Sequence, residues 1–97
     1  MSFEPPALDR QLAEAIGDGS PLIAELRATF LASATGHVAA LSLANDAATW
    51  SGEAARLQGL AASFGMTDLM QCAADAVRIG PDAGLLDRIA TALAACR

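Results

Sequence analysis

Residues 50–65 read Trp50-Ser51-Gly52-Glu53-Ala54-Ala55-Arg56-Leu57-Gln58-Gly59-Leu60-Ala61-Ala62-Ser63-Phe64-Gly65, and the fold turns on how they are read. Apolar side chains recur at Trp50, Ala54, Leu57, Ala61 and Phe64. Steps of four and three residues place them on one face of an α-helix, the face that meets a core. The opposite face carries Gly52, Ala55, Gly59 and Ala62. A helix face turned to water normally carries charge. This one carries nothing larger than a methyl group at those four positions. Each glycine inside a helix costs about 1 kcal/mol relative to alanine. A bare outer face that carries this cost leaves room for the surface of another protein.

Working outward, the same residues resemble a known family. Ala54-Ala55-Arg56-Leu57-Gln58-Gly59, followed by Ala61-Ala62-Ser63-Phe64-Gly65, is similar to the central helix of the histidine-containing phosphotransfer (HPt) domain. That family typically reads Ala-His-x-Leu-Lys-Gly, then small residues, then a second glycine. The resemblance covers roughly residues 20–78. It implies a four-helix bundle that meets the receiver domain of a response regulator, or a histidine kinase, in a phosphorelay. In the family an exposed His passes a phosphoryl group to and from an Asp of the receiver. Here Ala55 stands at the place of that His, and Gln58 at the place of the usual Lys. A methyl group cannot attack phosphorus, and an amide offers only neutral hydrogen bonds where an ammonium would hold charge. The resemblance therefore implies the scaffold without its nucleophile. Gly52, Ala55, Arg56, Gln58, Gly59 and Ala62 would form its receiver-binding face, with no catalytic residue among them. Glu53 and Ser63 flank that face, with Arg56 and Gln58, as a polar rim.

Composition agrees with one helical domain. The chain has 97 residues, 54% of them apolar, and only four aromatics: Phe3, Phe30, Trp50 and Phe64. Alanine and leucine are abundant and strong β-formers scarce, which favours an all-α class. Net charge is −5, all six basic residues are arginines, and they are scattered. Without a clustered basic footprint, neither nucleic acid nor an anionic membrane is expected as a partner. No run reaches the roughly 20 apolar residues of a membrane span, and Met1–Arg10 lacks the basic-then-apolar pattern of a leader, so a cytoplasmic protein is expected.

Along the chain, residues 1–6 read as an arm ahead of a short helix striped by Leu8, Leu12 and Ile16. Gly17 closes that helix and Asp18-Gly19 turns the chain. Ser20-Pro21 reads as an N-cap followed by proline at the first helical position. The second helix runs to about Ala44 and spans roughly 35 Å. Its inward face is Ile23, Leu26, Phe30, Ala34, His37 or Val38, and Leu41. Asp46 caps the third helix, and Thr67 is placed as the cap of the fourth. Leu69, Cys72, Ala76 and Ile79 face inward on the fourth, while Asp68, Gln71, Asp75 and Arg78 face out. Gly80-Pro81 is a stop and restart. The last helix, about residues 82–96, buries Leu86, Ile89, Leu93 and Cys96. Short links between long helices favour antiparallel neighbours, so the expected architecture is an up-down four-helix bundle with a short extra N-terminal helix.

Other chemistries find no support in the residues. Cys72 and Cys96 have no metal-ligand spacing and read as reduced core thiols, with a disulfide between their helices left open by the sequence. No metal site and no cofactor motif is present. His37, the single histidine, is expected to be a partly buried packing residue rather than a phosphate acceptor. Three functions remain: a non-catalytic adaptor or competitor in a phosphorelay, a phosphotransfer protein whose His has been replaced by Ala55, and a self-associating structural bundle. The last, a weak homodimer, would pack the small-residue face on its own copy.

Overall fold

A computed structural model describes residues 7–17 and 20–96. The expected arm at residues 1–6 and the turn at Asp18-Gly19 lie outside the described residues. The described residues form five helices: α1 (Ala7–Ile16), α2 (Leu22–Leu43), α3 (Ala47–Ser63), α4 (Thr67–Ile79) and α5 (Ala83–Cys96), with no strand among them. The principal extents are 43 × 27 × 18 Å. None of these helices is long and apolar enough to cross a membrane.

Local chemistry sets the helix ends. Gly17 has φ +92° and its N–H donates to the Ala13 carbonyl at 2.8 Å, closing α1. Ser20 caps loosely: its hydroxyl oxygen accepts from the Leu22 N–H at 3.2 Å. Pro21 (φ −63°, ψ −19°) stands just before α2 rather than as its first residue. The Asp46 carboxylate accepts from the Thr49 N–H at 2.7 Å, so the expected cap of α3 is in place. That bond holds the Asp46 pKa below its ordinary value. Thr67 does not cap α4; it is the first helical residue, and Met66 before it offers no side-chain cap. Gly80 (φ +97°) ends α4, and the Asp82 carboxylate accepts from the Leu85 N–H at 2.9 Å at the start of α5.

Helix α3 packs on α2 and α4, α5 packs on α4 and α2, and α1 lies against α2 and α5. Phe30, Leu41, Leu57, Leu69, Ile89 and Leu8 are the largest fully buried side chains. Ala34, Ala54, Ala61, Ala73 and Ala76 are also fully buried, and their small size lets helix backbones approach closely. Trp50 is buried, and its indole N–H donates to the Ala76 carbonyl at 2.9 Å, tying α3 to α4. Phe64, half-buried at the end of α3, stacks at a tilt on Phe30 with ring centroids 4.9 Å apart.

Inward assignments on three helices are refined. On α4, Ala73 shares the buried face with Leu69 and Ala76, while Cys72 is half-buried and Ile79 is 54% exposed. At 3.6 residues per turn Cys72 and Ile79 lie about 60° and 80° round from Leu69, on the flank of the buried face. On α5, Leu85 is buried as well, while Leu86 is half-buried and packs against the core. On α1, Leu8 and Leu12 are buried but Ile16, in the last turn, is 36% exposed.

Candidate functional site

The outer face of α3 follows from the helical period. Measured from Gly52, Gly59, Ser63 and Arg56 fall within about 40°, and Ala55 and Ala62 at about 60–80° to one side. Gly52, Ala55, Arg56, Gly59, Ala62 and Ser63 are all exposed. A Cβ built at Gly52 or Gly59 would meet nothing within 4 Å. The glycines are therefore not required by packing inside the chain. Gln58 lies about 120° round the helix and is half-buried, so it sits at the edge of the face. The core side of the helix, built by Trp50, Ala54, Leu57 and Ala61, is buried.

The rim toward α2 holds a polar cluster that bridges α2 and α3. Glu53 accepts from two partners, one on each carboxylate oxygen. His37 Nδ1 lies 2.7 Å from Oε2, and the Arg56 guanidinium donates to Oε1 at 2.9 Å. The His37 and Glu53 side chains keep 28% and 18% of their surface exposed, while that of Arg56 is 68% exposed. The hydrogen bond with His37, followed by the charges of His37 and Arg56, holds the Glu53 carboxyl below its ordinary pKa despite partial burial. Glu53 is thus ionised at neutral pH. A carboxylate only accepts hydrogen bonds, so His37 Nδ1 carries the donated proton.

The Glu53–Arg56 pair was legible as a three-residue spacing on one helix. The His37–Glu53 pair was not, because it joins residues 16 apart through the packing of two helices. Sequence reasoning gave Glu53 only a place on the rim and missed its junction role. His37 is partly buried and hydrogen-bonded, as a packing histidine should be.

A second polar cluster lies between α4 and α5. Asp75 accepts from Arg78 at 3.2 Å and from Arg88 at 3.3 Å, and both hold its pKa down, Arg78 more strongly. Arg88 also approaches the Cys72 sulfur at 3.9 Å. The α4–α5 groove beside them, lined by Asp68, Cys72, Asp87, Arg88 and Thr91 with Ala92 and Ala95, is open and shallow, with about 420 Å³ of free space. Cys72 and Cys96 are free thiols. No group of three or more His, Cys, Asp or Glu among the described residues is placed to hold a metal ion.

Compared with protein-family models, with curated proteins and with solved structures, the chain matches none.

Proposed function

We propose that this chain is an HPt-like four-helix module that docks receiver domains, or a histidine kinase, through the outer face of α3, and takes no phosphoryl group at position 55. The observation that carries this is the bare strip itself. Gly52, Ala55, Gly59 and Ala62 are exposed on one helix, with open space over both glycines. A flat, small-residue centre with polar groups around it suits close approach by a partner. The packing order supports the architecture. Contacts run from α2 to α3 to α4 to α5 and back to α2, the closed ring that an antiparallel bundle with short links produces.

In this reading Ala55 replaces the acceptor and Gln58 the charged residue, so the protein acts as an adaptor or competitor. Arg56 supplies the cation on the face, drawn back onto Glu53 in the free protein. Docking would open that pair without uncovering a buried charge, because both partners already touch water.

An amide NMR titration with receiver domains from the same source tests the proposal. Shifts concentrated at Gly52, Ala55, Gly59 and Ala62 are expected. Ala55→His should then restore phosphoryl exchange with a receiver that binds. Absence of any shift well above ~100 µM, where transient partners register, overturns it. Sedimentation at several concentrations distinguishes the competing self-association, in which the same face would meet its own copy.

A further inference from the structure

Helices α4 and α5 leave a groove between their outer flanks. Past Arg88, the flank of α5 carries Thr91, Ala92 and Ala95, since residues three and four apart share a helix face. Asp68 and Cys72 line the α4 side. The groove runs into a second hollow of about 190 Å³, floored by the buried Met66, Leu69 and Cys96. The two hollows share Asp68, Ala92 and Ala95, so they form one continuous groove, and its lining is mostly apolar. At the other end Arg88 reaches from α5 to Asp75 on α4. The open length along α5, from Arg88 to Cys96, is about 12 Å, or two turns of helix.

Charge marks what fits this groove. Arg78 and Arg88 are both held by Asp75. Asp68 and Asp87, which also line the groove, are exposed and have no ion pair among the described residues. An apolar floor between unpaired carboxylates complements a helix that carries an apolar stripe with cations beside it, the arrangement by which amphipathic helices lie in grooves. The net charge of −5 steers a basic partner toward the chain as well.

We propose that the α4–α5 groove docks a basic amphipathic helix of a partner protein. One large apolar side chain of that helix enters the hollow over Met66 and Leu69, and lysines or arginines beside it meet Asp68 and Asp87. The groove uses none of the bare α3 strip. Helix α5 stands across the ring from α3, with no contact between the two among the described residues. A module with both surfaces holds two partners at once, but the groove does not depend on receiver docking.

The test titrates the full chain with a helical peptide of about 15 residues, leucine along one face and lysine beside it, long enough to hold a helix. Two controls accompany it: the same peptide with glutamate for every lysine, and one of identical composition whose order gives no apolar face. Amide shifts are expected at Asp68, Cys72, Ala92 and Ala95, saturating with a Kd of about 1 mM or tighter. The bound helix should also slow modification of Cys72 by a disulfide reagent. Asp68→Asn and Asp87→Asn together should weaken binding about threefold or more, and high salt should shrink that difference. Ala95→Arg, a change at an exposed position, should fill the groove with bulk and like charge and abolish binding, with the circular dichroism spectrum unchanged. No binding, equal binding of either control, shifts confined to α3, or full affinity in Ala95→Arg would overturn the proposal. Shifts at the same residues on concentrating the protein alone would make a second copy the occupant and overturn it equally. Failure of receiver binding at α3 would leave the groove standing, and failure of peptide binding would leave the receiver reading standing.

Discussion

The Trp50 indole N–H donates to the Ala76 carbonyl at 2.9 Å, a buried hydrogen bond across 26 residues that joins the first turns of α3 to the last turn of α4. Ala76 also receives the Gly80 N–H at 3.0 Å, so its carbonyl is shared between the end of α4 and the tryptophan. One atom therefore couples the stop of one helix to the start of another. Trp50→Phe keeps most of the apolar bulk and removes the donor. The carbonyl keeps its partner on Gly80 and is not orphaned. The expected loss is about 1–2 kcal/mol, read by urea unfolding followed by circular dichroism. An unchanged unfolding midpoint would show that the bond contributes nothing net.

The glycines of the chain should respond with opposite signs. Gly52 and Gly59 sit inside a helix with open space where a Cβ would go. Alanine at either position should raise stability by about 1 kcal/mol. Gly65 is different: its φ is +71°, and a Cβ would come within 2.9 Å of the Gln11 side chain. Gln11 is exposed and can move, so the backbone conformation is the larger obstacle. Gly65→Ala should lower stability by about 1–2 kcal/mol. Thermal unfolding of the three single variants is sufficient. A loss at Gly52 or Gly59 would mean that the outer face of α3 is not free in solution.

Acid should weaken the α2–α3 junction. Folding lowers the Glu53 pKa from its ordinary 4.5, because the ionised carboxylate holds His37 and Arg56. A lowered pKa contributes stability that is complete above the unfolded value and is lost as pH falls through the folded one. Glu53→Gln should therefore be less stable than the parent at neutral pH, with the gap closing below about pH 4.5. Asp46 and Asp75 shift in the same direction and should persist as the remaining acid dependence of the variant. Urea titrations across this range measure the gap directly. A gap independent of pH would remove Glu53 from the account.

The two thiols should separate in reactivity. Cys96 is buried, its S–H points to the Ala92 carbonyl at 3.4 Å, and burial, aided by the Asp68 charge, pushes its pKa above the ordinary 9.0. Cys72 is half-buried beside the Arg88 guanidinium. Thiolate is the reactive form, so a disulfide reagent should modify Cys72 first and Cys96 only slowly. Single Cys→Ser variants assign the two phases. Faster reaction at Cys96 would show that the end of α5 opens readily.

Composition, periodicity and capping residues settled the helical class, the core side of α3, and the starts and stops marked by Gly17, Asp46 and Gly80. These depend on contacts within a few residues, where spacing and residue type determine geometry. Periodicity also exposed the bare strip of Gly52, Ala55, Gly59 and Ala62, because a helix face is a property of one helix. The flanks of the stripes were not legible. Cys72 against Ala73 and Leu85 against Leu86 are decided by where a neighbouring helix lies, and a periodic pattern fixes a buried face only to within about one residue. Nor was the junction at Glu53. Nothing in the local sequence of either residue brings His37 to that carboxylate; only the packing of α2 on α3 does. Local spacing thus determined the elements and their faces. Tertiary packing decided which polar groups meet, because a contact between 37 and 53 is set by the distance between two helices rather than by the period of either.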